Sequence, residues 1–300
     1  MSQMSWKGKY LDVTGARPCW RKTPDVRKMD KEDLDLIVIP STSTNASKSL
    51  KRKREESQIE LSAVNILKGI PNLVNRKRAI TSWLQVARSV SDSEEIHELI
   101  LKYINNSQEH GYGIQVLNIL QILRVGDVDY ESKPEWRSKK RMLLWHGTSE
   151  ENLASILLNG FQLPPRRNQM FGAGIYFADR VSKSANYSSC GRVSETKGYL
   201  LLCDVLVGQA YQALTANNMY TSPPVNCDSV MGNGQNIPNL VENVNFNGSC
   251  VPLGKTVVSN FLLRSCPLLY NEYVIYNPEK VKPLYLVKFE YGTAPVHHVG

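Results

Sequence analysis

The sequence lacks three features that would each place it in a particular class of protein. No stretch approaches the eighteen consecutive apolar residues of a membrane-spanning helix, so we predict no membrane span. The first ten residues, MSQMSWKGKY, contain no apolar run typical of a secretory signal peptide. The six cysteines include no Cys-x-x-Cys pair, and the five histidines do not cluster with cysteines or carboxylates. We therefore expect neither a zinc finger nor another metal site.

The composition is that of a globular protein with a basic surface. Of the 300 residues, 42% are hydrophobic and 21% are charged, which is enough apolar material for a sizeable core. The net charge of +8 favours an acidic partner, of which nucleic acid is the commonest. A basic globular protein without such a partner has the same composition, so the charge alone does not decide between the two.

Residues 1–60 differ from the rest of the chain. The stretch PSTSTNASKSLKRKREESQ is polar and rich in Ser and Thr, and such a segment cannot bury enough surface to offset its ordering entropy. We predict a disordered basic tail. Its four consecutive cations are typical of a nuclear import signal, which predicts a nuclear protein: Lys51, Arg52, Lys53 and Arg54. The alternatives are a merely solvated run of charge or a contact with DNA phosphates.

Residues 61–110 have helical periodicity. The segment SDSEEIHELILKYINNSQ predicts an amphipathic helix capped by Ser91 or Ser93, with acidic residues in its first turn. Its apolar residues recur at three- and four-residue spacing: Ile96, Leu99, Ile100, Tyr103 and Ile104. Upstream, ITSWLQVARSV predicts another helix. We interpret 61–110 as a short helical segment ahead of the main domain.

Residues 111–300 have the pattern of an α+β domain. Strands are predicted over IQVLNILQILRV, RMLLWHGT, GIYFAD, YLLLCDVLVGQAY, NEYVIYNP and PLYLVKFEY. Helices are predicted over SEENLASILLNGF, capped by Thr148 or Ser149, and over VSKSANYSS. Residues 213–250 are rich in Asn, Ser and Gly, and we predict a long loop there. Many strands with few intervening helices indicate antiparallel sheets.

Three segments place polar groups in apolar, strand-like surroundings: LLWHGT, MFGAGIYFADRVSKSANY and YNEYVIY. Together with VPLGK, and in this order, they closely resemble the catalytic domain of the poly(ADP-ribose) polymerases, which have a His-Tyr-Glu triad. The resemblance covers 91–291, about two thirds of the chain, and is closest to the nuclear, DNA-damage-associated members. It implies two antiparallel sheets around a cleft that binds NAD as a substrate, with no permanently bound cofactor.

The resemblance also implies roles for individual residues. Glu272, His146 and Tyr176 would form the catalytic triad, with the carboxylate of Glu272 stabilising the oxocarbenium-like ribose. His146 would hydrogen-bond the adenosine ribose, while Tyr176 and Tyr187 would enclose the nicotinamide ring. Gly147 and Ser184 would contact the carboxamide of the nicotinamide, and Arg166, beside Arg167, would contact the pyrophosphate. Lys183 would lie near Glu272 or a phosphate. Thr148 is a further expected NAD contact, for which a helix cap is the competing role.

The implied function is transfer of ADP-ribose from NAD to proteins, including the enzyme itself. A glutamate at position 272 favours polymer formation, because its carboxylate can accept the proton of an elongating hydroxyl. Two alternatives remain: a mono-ADP-ribosyltransferase, and a catalytically weak relative that binds nucleic acid. Residues 61–110 are too few for the complete helical domain that blocks NAD in DNA-dependent members. We therefore expect DNA, bound through the basic tail, to have only a modest effect.

Overall fold

The computed structural model describes residues 87–108, 113–122, 130–166, 168–188, 197–259 and 268–291. The predicted disordered tail, the cation run Lys51–Arg54 and most of the predicted helix over 80–90 lie outside these ranges. The proposed divisions of the chain at residues 60 and 110 therefore remain predictions.

In the described residues the four α-helices all lie before residue 186, and ten strands follow them with only short 3-10 helices in between. The helices are α1 (Glu95–Ser107), α2 (Pro134–Ser138), α3 (Glu150–Asn159) and α4 (Val181–Ala185). The strands are β1 (Ala87–Ser89), β2 (Ile114–Ile122), β3 (Arg141–Gly147), β4 (Ile175–Phe177), β5 (Lys197–Leu206), β6 (Ala210–Ala213), β7 (Ser229–Gly232), β8 (Gly234–Pro238), β9 (Val244–Phe246), β10 (Ser249–Val251), β11 (Thr256–Val258), β12 (Leu268–Tyr270), β13 (Glu272–Ile275) and β14 (Val281–Tyr291). Short 3-10 helices span Tyr130–Ser132, Leu240–Glu242 and Pro278–Lys280.

The described strands form three sheets. Seven strands follow the order β1-β2-β14-β5-β3-β10-β9, four follow β4-β13-β7-β6, and three follow β11-β8-β12. Most neighbours are antiparallel, and the parallel pairs are β3·β10, β6·β7 and β8·β12. The α+β class is confirmed, whereas the count differs from the two sheets expected.

The loop expected over 213–250 is confirmed for 214–228 but is wrong for 229–250. This segment contains β7, β8, β9 and β10, all three to five residues long. Its Asn and Gly residues serve as turns between the strands: Asn247 and Gly248 both have positive φ and join β9 to β10. Strand pairing across the sheets, which the local composition does not encode, decides the outcome.

The helix predicted over ITSWLQVARSV is also wrong for residues 87–90, the part of this segment that the structure describes. Ala87–Ser89 form β1, which pairs antiparallel with Leu120–Ile122 of β2. Arg88 donates to both carboxylate oxygens of Glu94 at 2.7 Å, which ties the strand to the start of α1. β14 occupies only one edge of β2, so the other edge can accept this segment as a strand. Hydrogen bonding along that edge outweighs the weak helical pattern of the sequence.

Helix α1 packs where its periodicity predicts. Ile96, Ile100, Tyr103 and Ile104 are buried, and the Tyr103 hydroxyl donates to the carbonyl of Leu143 at 3.2 Å. The predicted serine caps are not used: Glu94 is the N-cap residue, and its carboxylate accepts from the backbone N–H of Ser91. The helix shares one hydrophobic cluster with the seven-stranded sheet.

The seven-stranded sheet is covered on both faces, which explains the continuous apolar run of β5. Leu200 and Leu202 face the cluster that contains α1, whereas Leu201 and Cys203 face the cluster that contains α3. β3, which lies beside β5, is therefore held rigidly. It ends at Gly147, on the rim of the sheet, where its last residues emerge from the core.

No helix in the described part of the chain is long and apolar enough to cross a membrane. Among the cysteines of those ranges, Cys203 and Cys227 carry free thiols, and Cys250 is disulfide-bonded. Burial raises the pKa of the Cys203 thiol well above its usual range, so this thiol stays protonated within the core.

Candidate active site

Two pairings bring the three motif segments together at the end of β3. Trp145 and Ala178 exchange backbone hydrogen bonds of 2.9 Å, which join the large sheet to the β4–α4 segment. β4 in turn pairs with β13, with Tyr176 opposite Val274. LLWHGT, GIYFADRVSKSANY and NEYVIY, which are far apart in the sequence, thus meet at one place.

His146 is fixed in one orientation. Its Nδ1 lies 2.8 Å from the carbonyl oxygen of Tyr176, and because a carbonyl only accepts, Nδ1 carries the proton. The ring packs edge-on against Phe161 at 5.0 Å and tilted against Phe177 at 5.4 Å. Burial lowers the pKa of His146 from 6.5 to about 4. The imidazole is therefore neutral at pH 7, and Nε2 is an acceptor.

This depressed pKa predicts a loss of stability in acid. The unfolded chain binds the His146 proton near pH 6.5, whereas the folded chain binds it only near pH 4. The contribution is complete above pH 6.5 and is lost as the pH falls toward 4, by up to about 1.4 kcal/mol per pH unit. Urea unfolding across this window should show that His146→Gln removes this part of the slope. An identical slope in the variant and the parent would show that another group is responsible.

The hydroxyl of Tyr176 connects the site to the loop before β4. It donates to the carbonyl of Gly172 at 3.0 Å and accepts from the backbone N–H of Phe171 at 2.9 Å. Burial raises the pKa of Tyr176, and the negative charge of Glu272 raises it further. The side chain is thus neutral, held at its hydroxyl by two hydrogen bonds, and near the carboxylate.

Glu272 lies at the first position of β13 and is 8% exposed. Its Oε1 is 2.9 Å from Nζ of Lys183, which also donates to the carbonyl oxygens of Tyr270 at 2.9 Å and Asn271 at 3.3 Å. Its Oε2 is buried and, among the described residues, has no hydrogen-bond partner. A buried carboxylate oxygen left unsatisfied is costly, so Oε2 is available to accept a hydrogen bond from a bound ligand.

Gly147 and Ser184 touch through their backbones. A β-carbon at position 147 would overlap the carbonyl oxygen of Ser184, so this crossing of β3 and α4 requires glycine. The Ser184 hydroxyl donates to the carbonyl of Trp145 at 3.1 Å, which leaves its oxygen lone pairs available as acceptors. Beyond α4, Tyr187 is 63% exposed; partial burial raises its pKa, and so does the charge of Glu272. Its ring thus lies at the open side of the site.

The structure does not bring Thr148 and Arg166 into the contacts described above. Thr148 is not the cap of α3, because Ser149 is the N-cap residue and its hydroxyl accepts from Asn152 N at 3.4 Å. Arg166 lies on an exposed loop and donates to the sulfur of Met219 at 2.7 Å. Arg167 lies outside the described residues. The NAD contacts of Thr148 and Arg166 remain predictions.

The sequence analysis missed a buried polar network beside the site. Asp179 and Arg180 are 0% and 1% exposed, in the turn between β4 and α4. Oδ2 of Asp179 accepts from Asn271 Nδ2 at 2.8 Å and from the Tyr273 hydroxyl at 3.2 Å. Burial raises the pKa of Asp179, and its neighbour Arg180 opposes that rise. Two adjacent charges inside the apolar run GIYFADRV were the available signal.

Arg180 joins this turn to the end of α1 and to the VPLGK loop. Its guanidinium donates to the carbonyls of Asn106 and Gly254 at 2.9 Å and to the Thr256 hydroxyl at 3.0 Å. The Ser107 hydroxyl accepts from the backbone N–H of Val181 at 3.2 Å. The end of α1 and the VPLGK loop therefore hold the start of α4, which carries Lys183 and Ser184.

The site contains no metal-binding group of side chains. Across the described ranges, no three His, Cys, Asp or Glu side chains converge as metal ligands. The groups that do converge are an ion-paired carboxylate, a neutral imidazole, two tyrosines and a serine.

Comparison with known proteins identifies the family. Residues 93–291 match the model of the poly(ADP-ribose) polymerase catalytic domain. The chain is 38% identical over 208 residues to poly [ADP-ribose] polymerase 1 of Xenopus laevis, which is 67% of this chain and 20% of that protein. It is 37% identical over 214 residues to poly [ADP-ribose] polymerase 2 of Arabidopsis thaliana, and 36% over 202 residues to that of Homo sapiens, covering 67% and 65% of this chain.

These matches span only part of each relative. The aligned region is 32% of the Arabidopsis protein and 34% of the human protein, so the chain matches a fifth to a third of these curated relatives. The family model covers about two thirds of this chain and includes all three motif segments. The chain therefore belongs to the poly(ADP-ribose) polymerase catalytic-domain family.

Proposed function

We propose that this protein is an NAD-dependent protein ADP-ribosyltransferase that extends poly(ADP-ribose). The observation that carries the proposal is the buried Oε2 of Glu272, which lacks a partner among the described residues, while Oε1 is held by Lys183 at 2.9 Å. Tyr176 and Tyr187 lie close enough for this carboxylate to raise the pKa of both. An oriented carboxylate beside two aromatic rings suits a cationic aromatic ring attached to a sugar.

The reaction breaks the bond between the nicotinamide nitrogen and C1′ of the ribose. The electron pair leaves with the nicotinamide, which departs neutral, and positive charge develops on the ribose. Oε2 of Glu272 accepts a hydrogen bond from the ribose 2′-hydroxyl, and its negative charge stabilises the oxocarbenium ion. The acceptor hydroxyl forms the new bond at C1′, and its proton passes to the carboxylate.

The leaving group is held by α4 and the end of β3. The Ser184 oxygen accepts from the carboxamide N–H₂, since its own proton is committed to Trp145. Gly147 lets this serine lie against β3, and Tyr187 and Tyr176 lie along the faces of the ring. The neutral Nε2 of His146 accepts a hydrogen bond from a hydroxyl of the adenosine ribose.

The product formed from labelled NAD tests the proposal. A polymer-forming enzyme gives a ladder or smear of modified protein, including the enzyme itself. A single sharp band would identify a mono-ADP-ribosyltransferase. Absence of label, together with salt-dependent DNA binding, would instead identify a catalytically weak relative that binds nucleic acid.

The basic tail gives a second test, on localisation and regulation. We expect removal of residues 1–60, which contain Lys51–Arg54, to abolish nuclear import. NAD turnover should stay within a few-fold, because the cation run lies outside every motif that carries a proposed site residue, from His146 to Glu272. The assay compares full-length and truncated protein with and without nicked DNA, in which the full chain shows a modest, salt-sensitive stimulation. Stimulation on the order of 10²-fold that disappears on truncation would make the tail a DNA sensor instead.

A further inference from the structure

Asn271 occupies the point where the chain passes from one sheet to another. β12 ends at Tyr270 in the three-stranded sheet, and β13 begins at Glu272 in the four-stranded sheet. Asn271 is the only residue between them and is 3% exposed. The orientation of its peptide groups therefore sets the direction in which Glu272 leaves the crossing.

Both the N–H₂ and the oxygen of the Asn271 side-chain amide form hydrogen bonds. The first bonds to a group that only accepts, and the second to a group that only donates. Its Nδ2 donates to the carboxylate of Asp179 at 2.8 Å, and its Oδ1 accepts from the backbone N–H of Gly234 at 2.9 Å. Its main-chain carbonyl accepts from Nζ of Lys183 at 3.3 Å. The residue thus bonds to the turn before α4, to β8, and to the lysine that holds Glu272.

The partners specify an amide at this position. An ionised carboxylate at 271 would offer only acceptors, and it would lie against the fully buried carboxylate of Asp179. Gly234 allows the close approach, because a β-carbon there would overlap the backbone of Tyr270 and Asn271. An apolar core position would need none of these complementary groups.

We infer that Asn271 is a positioning residue that fixes the carboxylate of Glu272 and its pairing with Lys183 through the hydrogen bond to Asp179. This inference rests on the proposed function for the role of Glu272 in turnover. The geometry it describes, which is the pairing of Lys183 with Glu272, exists whether or not the chain turns over NAD.

A reciprocal exchange tests the inference. Asn271→Asp removes the donor, so we expect kcat to fall at least about 10-fold while KM for NAD changes little, since the nicotinamide contacts lie on β3 and α4. Asp179→Asn keeps an acceptor for Asn271 but removes the negative charge beside the buried Arg180, so we expect it to lower stability, with a smaller loss of kcat than in Asn271→Asp. The double variant, which carries both substitutions, restores the bond in reverse, because the new amide at position 179 donates to the new carboxylate at position 271. It should recover most of the activity lost in Asn271→Asp.

A second readout does not depend on turnover. Acylation of Lys183 by acetic anhydride, followed by peptide mass spectrometry, should be slow in the parent, because this amine has three protein partners. We expect it to rise several-fold in Asn271→Asp and to return toward the parent value in the double variant. Asn277→Asp is the matched control: this asparagine caps Pro278–Lys280 through its Oδ1, which a carboxylate replaces. Neither readout should change in it.

The outcomes separate the two proposals. Loss of kcat with rescue in the double variant supports the positioning role, and so does the change in Lys183 labelling. A rise in KM alone, or no change in kcat and labelling, overturns it. If the parent forms no product from NAD, the proposed function fails, and the labelling then decides the positioning role by itself. Should Asn271→Asp not fold by circular dichroism, Asn271→Ser, too short to reach both partners, replaces it in the same comparison.

Discussion

Glu272→Gln is expected to lower the rate of polymer elongation by at least about 10²- to 10³-fold, the usual cost of losing one preorganised electrostatic group. The amide keeps the shape of the side chain but removes the charge that stabilises the ribose cation, and it cannot take the proton of the elongating hydroxyl. Binding of NAD should change little, because the nicotinamide contacts proposed above are Ser184, Tyr187 and Gly147 rather than Glu272. Single-turnover release of labelled nicotinamide and gel analysis of the product measure the two effects separately.

The matched control for this substitution is Glu279→Gln. Glu279 also pairs with a lysine, Lys133 at 3.4 Å, but its side chain is 72% exposed. Such a surface pair contributes little to stability, and it lies outside the proposed site. Polymer formation at the parental rate by Glu272→Gln would refute the role assigned to its charge, whereas an equal loss in both variants would indicate a non-specific effect.

Gly147→Ala is expected to lower kcat/KM for NAD by at least about 10²-fold, since displacements of about 1 Å in a reacting geometry have effects of this size. The added β-carbon would overlap the Ser184 carbonyl oxygen, with the carbonyl carbon only 2.6 Å away. The contact is backbone to backbone, so no side-chain rotation relieves it. Helix α4 must shift away from β3 and carry Lys183 and Ser184 with it.

The measurement pairs steady-state kinetics with thermal unfolding. Ser155→Ala, on the exposed face of α3, is the control, and its kcat/KM should stay within about two-fold of the parent, as for surface substitutions generally. A folded Gly147→Ala protein with near-parental kcat/KM would show that α4 can move without consequence for the site. In that case Gly147 would serve only the packing of the two elements.

The sequence predicted the long elements and the meeting of the motifs, for different reasons. β5 is a long apolar run buried on both faces, β14 is rich in aliphatic and aromatic residues, and α1 has a clear 3.6-residue period; these patterns are local. The proximity of His146, Tyr176 and Glu272 depends on segments that are distant in the sequence, and it was expected only through the resemblance to the family. The structure supplies the pairings that produce it: Trp145 with Ala178, and β4 with β13.

What the sequence did not predict depends on partners distant along the chain. β7 to β10 are short strands without a clear alternation of apolar and polar residues. β6 pairs in parallel with β7, with Ala210 opposite Ser229. Asp179 and Asn271 are 92 positions apart, and Arg180 is 74 positions from each carbonyl it binds. Read alone, Asp179 and Arg180 look like an exposed turn. Only the packed structure shows that both are buried.

The reach of Arg180 constrains how this chain can change over evolutionary time. One guanidinium satisfies oxygens from α1, from the VPLGK loop and from Thr256 of β11, so its replacement by an apolar side chain would remove the donor from three acceptors at once, of which the bond to Gly254 is fully buried. No single second substitution can satisfy all three acceptors again. Two of them are main-chain carbonyls, and the backbone itself would have to move to give them new partners. Among chains that share this fold, Arg180 itself is therefore expected to be retained, because any residue at positions 106 and 254 offers the same main-chain carbonyl.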